Sequence, residues 1–275
     1  MSPARRRISC IICAYNEADR IGQVLTAIVG HQLLDEIIVV DDGSTDGTAK
    51  RLAAFSGVTL ISYTSNRGKT YAMARGVAAA RSDYLMLLDA DLIGLCAADI
   101  AALAEPVLTG AADVSLSLRG NSLGLYRMMG LDFVSGERVV PRRLLSDAAE
   151  SMANLPRWSG EVFMNERIIR RRLRVAIVDW RGVSHTPKRL KAGAWQGAID
   201  DLRMVGDALR VLTPAGVIRQ NIALLRLARA HGRRRPRTRA PIWPAIAPPW
   251  SPKARKTGLV PPGPRSGWRP PDRGR

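Results

Sequence analysis

The sequence predicts a doubly wound α/β domain, a mostly parallel sheet with helices on both faces. Three observations predict it. Short apolar runs alternate with helical patterns four times over roughly the first ninety residues, the rhythm of successive βαβ units. The runs are apolar along their whole length, as strands covered on both faces must be. Each run ends abruptly in polar, turn-forming residues, where open α/β sheets place their ligands.

Residues 8–14 form the first strand. Asn16-Glu17-Ala18-Asp19 then opens a helical pattern, with an apolar stripe at Ile21, Val24, Leu25 and Ile28. Ile37-Ile38-Val39-Val40 is a second buried strand. It runs into Asp41-Asp42-Gly43-Ser44-Thr45-Asp46-Gly47-Thr48, dense in turn and helix-capping residues. A helix over 48–55, a strand over 58–63, a loop at 66–69 and an Ala-rich helix over 70–80 follow. The fourth strand, 84–88, ends at Asp89-Ala90-Asp91. Crossovers in such a sheet are right-handed.

Beyond residue 94 the rhythm loosens. The patterns predict a helix over 99–108, a strand over 112–118 and an amphipathic helix over 123–134. A further element opens at 135 and continues through Pro141-Arg142-Arg143-Leu144-Leu145. A helix over 161–172, a strand over 173–178 and a loop to His185 complete this half. Trp195, Ile199, Leu202, Val205, Leu209 and Leu212 trace one face of a helix. Thr213-Pro214 breaks it and starts another, striped by Val217, Ile218, Ile222 and Leu225. Residues 231–275 are rich in Pro, Gly and Arg without periodicity and read as a disordered tail. The layout is therefore one folded domain, 1–230, and the tail. The domain divides into a first half (1–94), a second half (95–194) and C-terminal helices (195–230).

The formal net charge is +18, and much of it is local. Residues 231–275 hold twelve Lys/Arg against one acid, Asp272, which leaves +7 for the rest. This balance favours anionic partners: phosphorylated ligands, a membrane surface or nucleic acid. Three cysteines make no disulfide framework, and Cys10-x-x-Cys13 falls inside the first strand run, so both read as core residues rather than a zinc or redox pair. The apolar run after Arg5-Arg6-Arg7 is too short for a signal-peptide core, and no window approaches the ~20 apolar residues of a membrane span. A cytoplasmic location is the expectation. The C-terminal helices and basic tail could lie on the inner face of an anionic plasma membrane.

Asp89 and Asp91 sit at the end of a buried strand. Residues two apart in an extended segment point the same way. Two carboxylates so held suit a hard divalent cation that bridges to phosphate oxygens. A polar cap on a strand end is the plainer reading. Tyr15-Asn16-Glu17 and the 41–48 segment, however, deliver further carboxylates to the same sheet edge. Gly68-Lys69-Thr70 resembles the end of a Walker A loop, but that loop's first glycine would fall at Tyr63, so the P-loop reading fails.

These motifs together resemble the family 2 glycosyltransferases, which have the GT-A fold. The family's opening appears as Ala14-Tyr15-Asn16-Glu17 and Val39 to Thr48. Its Asn-x-Gly-Lys appears as Asn66-Arg67-Gly68-Lys69, and its Asp-x-Asp as Asp89-Ala90-Asp91. Cys13 stands where the family usually has Pro. The resemblance implies a metal-dependent hexosyltransferase acting on a UDP- or GDP-linked sugar. Ala14, Tyr15, Glu17, Asp41 and Asp42 would line the nucleoside, Asp89 and Ala90 would contact ribose or sugar, and Lys69 would reach a phosphate. Asp91 would hold Mg²⁺ or Mn²⁺ and so act in catalysis, with His185 as a second metal ligand.

Ser135-Gly136-Glu137-Arg138 resembles a stretch of the bacterial subset that acts on lipid-phosphate or phosphorylated acceptors. It makes Arg138 and Arg142 candidates for an acceptor anion in cell-envelope synthesis. Trp158-Ser159-Gly160-Glu161 resembles the stretch that supplies a carboxylate near the acceptor, so Glu161 is the candidate base. Plainer readings stand beside each: a basic helix face for the arginines, a first-turn helix Glu for Glu161, a structural role for His185. A nucleotidyltransferase shares the sheet and metal carboxylate but carries a Gly-rich basic loop after its first strand. A nucleic-acid-binding protein is motivated only by the tail.

Overall fold

The computed structural model describes residues 6–120, 135–185 and 213–232. The expected helices over 123–134 and 195–212, and the basic tail from 233 onward, lie outside the described residues. The chain runs β1 (Ile8–Ala14), α1 (Ile21–Ile28), β2 (Glu36–Asp41), α2 (Thr48–Leu52), β3 (Val58–Ser62), α3 (Lys69–Ala79), β4 (Tyr84–Asp89), β5 (Leu92–Ile93) and α4 (Ala97–Leu108). It continues through β6 (Val114–Arg119), β7 (Arg138–Pro141), α5 (Ala149–Ala153), α6 (Gly160–Arg170), β8 (Val175–Trp180), β9 (Ser184–His185) and α7 (Pro214–Gly232).

Seven strands form one sheet in the order β3-β2-β1-β4-β7-β6-β8. All neighbours are parallel except β7, which runs against both β4 and β6. The doubly wound, mostly parallel sheet expected from the apolar runs is therefore present. The reversed strand in its middle has a consequence for the site. Residues just before β7 emerge at the same edge as the carboxyl end of β4, and residues just after it emerge at the opposite edge. Leu92 and Ile93 form a separate two-stranded ribbon with Ser184 and His185. Gly94 lets the ribbon close, because a Cβ there would meet the Gly182 carbonyl oxygen at 2.4 Å.

Strand alternation sends side chains into two cores. Ile8, Cys10 and Ile12 of β1, with Met86 and Leu88 of β4, pack against α1 and α4. Ile11 of β1, with Leu85 and Leu87 of β4, packs against α3, α5, α6 and Leu224 of α7. Asp89 continues the second of these faces, so its carboxylate is directed toward the starts of α3 and α6.

At Gly76, α3 lies close against the sheet. A Cβ at this position would lie 2.4 Å from Cγ2 of the core residue Ile11. Alanine is the better helix former by about 1 kcal/mol, but overpacking a rigid core costs about 1–3 kcal/mol. The clash wins. Gly76→Ala is expected to lower the urea midpoint by an amount equivalent to about 1–2 kcal/mol. A raised midpoint would contradict this helix–sheet distance.

Candidate active site

The turn-rich segment after β2 and the segment after β1 are stitched together through side chains. Ser44 Oγ accepts from Asn16 N at 2.9 Å, and Asn16 Oδ1 accepts from Thr45 N at 2.9 Å. Thr48 Oγ1 accepts from Glu17 N at 2.9 Å, and Asp46 Oδ2 accepts from Ala18 N at 3.1 Å. Much of the polar density of this motif is therefore structural. Asn16 takes positive φ (56°) to make the turn, a conformation Asn tolerates better than most residues. Glu17 is nearly buried and pairs with Arg20, while Tyr15 is exposed.

Asp41 and Asp42 are both buried. Asp41 accepts from Ser44 N at 3.1 Å. Asp42 accepts from the backbone of Arg67 and Gly68, 2.8 Å each, and so fixes the loop that leads into Lys69. Gly68 has φ of +100°, and a Cβ there would fall 2.7 Å from Arg157 Cβ. Only glycine fits that corner.

Lys69 opens α3 and extends its ammonium between two carboxylates. Nζ lies 2.8 Å from Asp89 Oδ1 and 2.8 Å from Glu161 Oε1. Burial alone would pull the Lys69 pKa down; the charges of Asp89 and Glu161 more than offset it, and the pKa rises above its ordinary value. Thr70 sets the distance between the two helix starts. Its hydroxyl donates to Arg157 O at 2.9 Å and accepts from Ser159 N and Gly160 N, both at 3.0 Å. The first amides of α6 are thereby satisfied by a side chain almost ninety residues away in sequence.

A second buried group adjoins Asp89. Glu137 is fully buried; its Oε1 accepts from Arg119 Nη1 at 2.9 Å, and its Oε2 accepts from Ser117 and Ser135 hydroxyls at 2.8 and 2.7 Å. The same Arg119 nitrogen lies 3.7 Å from Asp89 Oδ2. Burial raises the Glu137 pKa; Arg119 opposes the rise and the charge of Asp89 adds to it. Nothing in the local sequence marks Arg119, while Glu137 and Thr70 stand in stretches that point instead to their neighbours Arg138 and Lys69.

Asp91 follows β4 by two residues. The β5–β9 ribbon sets Leu92 opposite His185, which brings His185 alongside the Asp91 turn. A carboxylate and an imidazole are donors that Mg²⁺ and Mn²⁺ accept. Among the described residues, no three His, Cys, Asp or Glu side chains form a metal-binding group. Two protein donors are enough where a ligand's phosphate oxygens and water complete the shell.

Two expected residues stand elsewhere. Arg138 is fully buried within the sheet; its guanidinium donates to Asn165 Oδ1 at 3.0 Å and to the Ser135 carbonyl. Alternation along β7 directs it toward α6, so it is a core residue and not an acceptor contact. Arg142 follows β7 and donates its backbone N–H to Asp83 O at 2.8 Å, at the sheet edge opposite Asp89. The reversed strand is the cause. A cavity of about 640 Å³ opens at that rear edge, lined by Arg6, Tyr84, Asp113, Arg143, Arg171 and Arg174, and includes neither Asp89 nor Glu161. Cys10 and Cys13 lie in β1 as expected; burial raises both thiols, Cys13 to about 12, so neither is a thiolate.

The sheet order and the carboxylates at its strand ends are those of the GT-A fold. Residues 9–141 match the family described as Glycosyl transferase family 2. Glucosyl-3-phosphoglycerate synthase of Mycolicibacterium paratuberculosis is 37% identical over 116 residues, covering 39% of this chain and 35% of that protein. Dolichyl-phosphate beta-glucosyltransferase of Dictyostelium discoideum is 33% identical over 99 residues, 30% of each chain. These matches span about a third of the relatives' own length. The crystal structure of glucosyl-3-phosphoglycerate synthase from Mycobacterium tuberculosis with Mn²⁺, UDP-glucose and phosphoglyceric acid superposes with a TM-score of 0.58 at 28% identity, covering 75% of this chain and 80% of that one. The same enzyme was also crystallised with Mg²⁺ and UDP.

Thr70 is the testable joint of this site. Thr70→Val keeps the shape but leaves two buried N–H groups without an acceptor, at about 1–3 kcal/mol each. A loss of about 2–4 kcal/mol in chemical denaturation is expected, while Thr70→Ser should stay within about 1 kcal/mol of the parent. Equal stabilities for the two variants would remove Thr70 from this role.

Proposed function

We propose that this chain transfers a hexose from a nucleoside diphosphate sugar to an acceptor that carries a phosphate, with Mg²⁺ or Mn²⁺ as cofactor. The observation that carries the reading is the Lys69–Asp89–Glu161 cluster beside Asp91, at the edge where β1, β2 and β4 all end. Glu17, Asp41 and Asp42 belong to the nucleoside side of that edge. Asp89 accepts hydroxyls of the ribose or transferred sugar. Its orientation is fixed by Lys69, so little freedom is lost on binding. Lys69 is committed to two carboxylates and serves chiefly to hold them, rather than to reach a phosphate. Glu161, at the start of α6, faces the acceptor side and is the group that takes an acceptor proton.

Asp91 and His185 are the residues that would hold the cation. When bound, it supplies charge neutralisation for the departing diphosphate. The relatives' names support UDP-glucose as donor and a phosphorylated acceptor. The acceptor phosphate does not rest on Arg138 or Arg142, for the reasons of burial and strand direction given above. Among the described residues no helix is long and apolar enough to cross a membrane.

Asp91→Ala should leave the protein folded and reduce transfer by roughly a thousand-fold, the equivalent of several kcal/mol of charge stabilisation. EDTA should silence the parent and Mn²⁺ restore it. A thermal-shift screen with UDP-, GDP- and dTDP-sugars identifies the donor as the one that raises the melting point in Mn²⁺. Near-parental turnover by Asp91→Ala would sink the metal assignment.

A further inference from the structure

We propose that Glu137 is a positioning residue for the donor, acting through Arg119 on the carboxylate of Asp89. The proposal rests on the glycosyl-transfer reading and gives Glu137 and Arg119 a role that its motifs do not assign.

Asp89 is held from three directions. Lys69 meets Oδ1 at 2.8 Å. Arg119 Nη1 lies 3.7 Å from Oδ2. The backbone of Gly136 closes the third side, where a Cβ would stand 2.6 Å from Oδ1 and 2.9 Å from the carboxyl carbon. The residue before Glu137 therefore touches the same carboxylate that Glu137 reaches through Arg119. One short segment entering β7 controls Asp89 by contact and by charge.

Arg119 reaches Glu137 and Asp89 unequally. It is hydrogen-bonded to Glu137 at 2.9 Å and only electrostatically near Asp89 at 3.7 Å. Glu137 thus keeps Arg119 from forming a full pair with Asp89, and Oδ2 stays oriented toward the site. A fully buried carboxylate is an expensive way to hold a fold together, since well-packed apolar residues stabilise as well or better. Here it accepts from two serine hydroxyls and one guanidinium, three donors that fix its orientation. The cluster adjoins the donor side of the site through Arg119 and Asp89. Removing the Glu137 charge while keeping its shape should let Arg119 collapse onto Asp89 and withdraw Oδ2 from a ligand hydroxyl.

The test uses the full chain with UDP-glucose and Mn²⁺. Glu137→Gln should raise the donor KM and Kd about ten-fold, within the range of coupling energies for contacting charged groups. Its kcat should change less than its KM. Asp89→Asn should show a donor defect of its own, and the double variant should bind no more weakly than Asp89→Asn alone, because both act on one carboxylate. If Glu137→Gln does not fold, Arg119→Lys keeps the charge, loses the planar fork, and should shift the donor KM in the same direction. Additive donor defects in the double variant, or parental donor affinity in every folded variant, would overturn the positioning role. Failure of the parent itself to bind any sugar nucleotide in calorimetry would instead overturn the glycosyl-transfer reading.

Discussion

One ammonium group organises the front edge of this sheet. Asp89 arrives on β4 and Glu161 on α6, and both are within 2.8 Å of Lys69 Nζ. Two carboxylates brought that close without a cation would disfavour ionisation of each other. Lys69 in turn depends on its approach. Asp42 holds the backbone of Arg67 and Gly68, and Gly68 passes beside Arg157 where no other residue fits. Thr70, the next residue, docks the start of α6. The turn after β2, the loop into α3 and the first turn of α6 therefore form one mechanical unit whose output is the placement of two carboxylates.

The reversed strand β7 decides what else reaches that unit. Because β7 is antiparallel to β4, Glu137 enters at the carboxyl end of β4 and Arg142 leaves at its amino end. Within the strand, alternation turns Arg138 toward Asn165 and away from Glu137. A motif that carries two arginines in sequence thus delivers a glutamate to the site. The arginine that does reach Asp89 is Arg119, from the end of β6.

The strand ends were legible because buried parallel strands are apolar along their length, and a carboxylate at the end of one stands out. Asp89, Asp91 and the 41–48 turn were visible for that reason. Ser44, Asp46 and Thr48 were visible too, but their work is local hydrogen bonding, which composition cannot separate from ligand contact. Thr70, Arg119 and Glu137 were not legible, because their roles come from partners far away in sequence. Thr70 meets residues 157–160, and Arg119 meets Glu137 across the 121–134 segment. The direction of β7 has no signature in its four residues. The β5–β9 ribbon that brings His185 to Asp91 is too short for any periodicity to mark it.

The placement of charge follows from the same topology. Glu17, Asp41, Asp42, Asp89, Asp91, Glu137 and Glu161 gather at or near the front edge, while Arg6, Arg142, Arg143, Arg171 and Arg174 gather at the rear. Among the described residues, Arg20, Lys69 and Arg119 pair with carboxylates of this front edge. These cations offset part of the charge locally and are already engaged by carboxylates. A bare diphosphate approaching that edge meets like charge, whereas a diphosphate that arrives with a divalent cation does not carry the same penalty. In the proposed transfer reaction, a cation held at Asp91 would offset the carboxylates of this edge as the diphosphate departs.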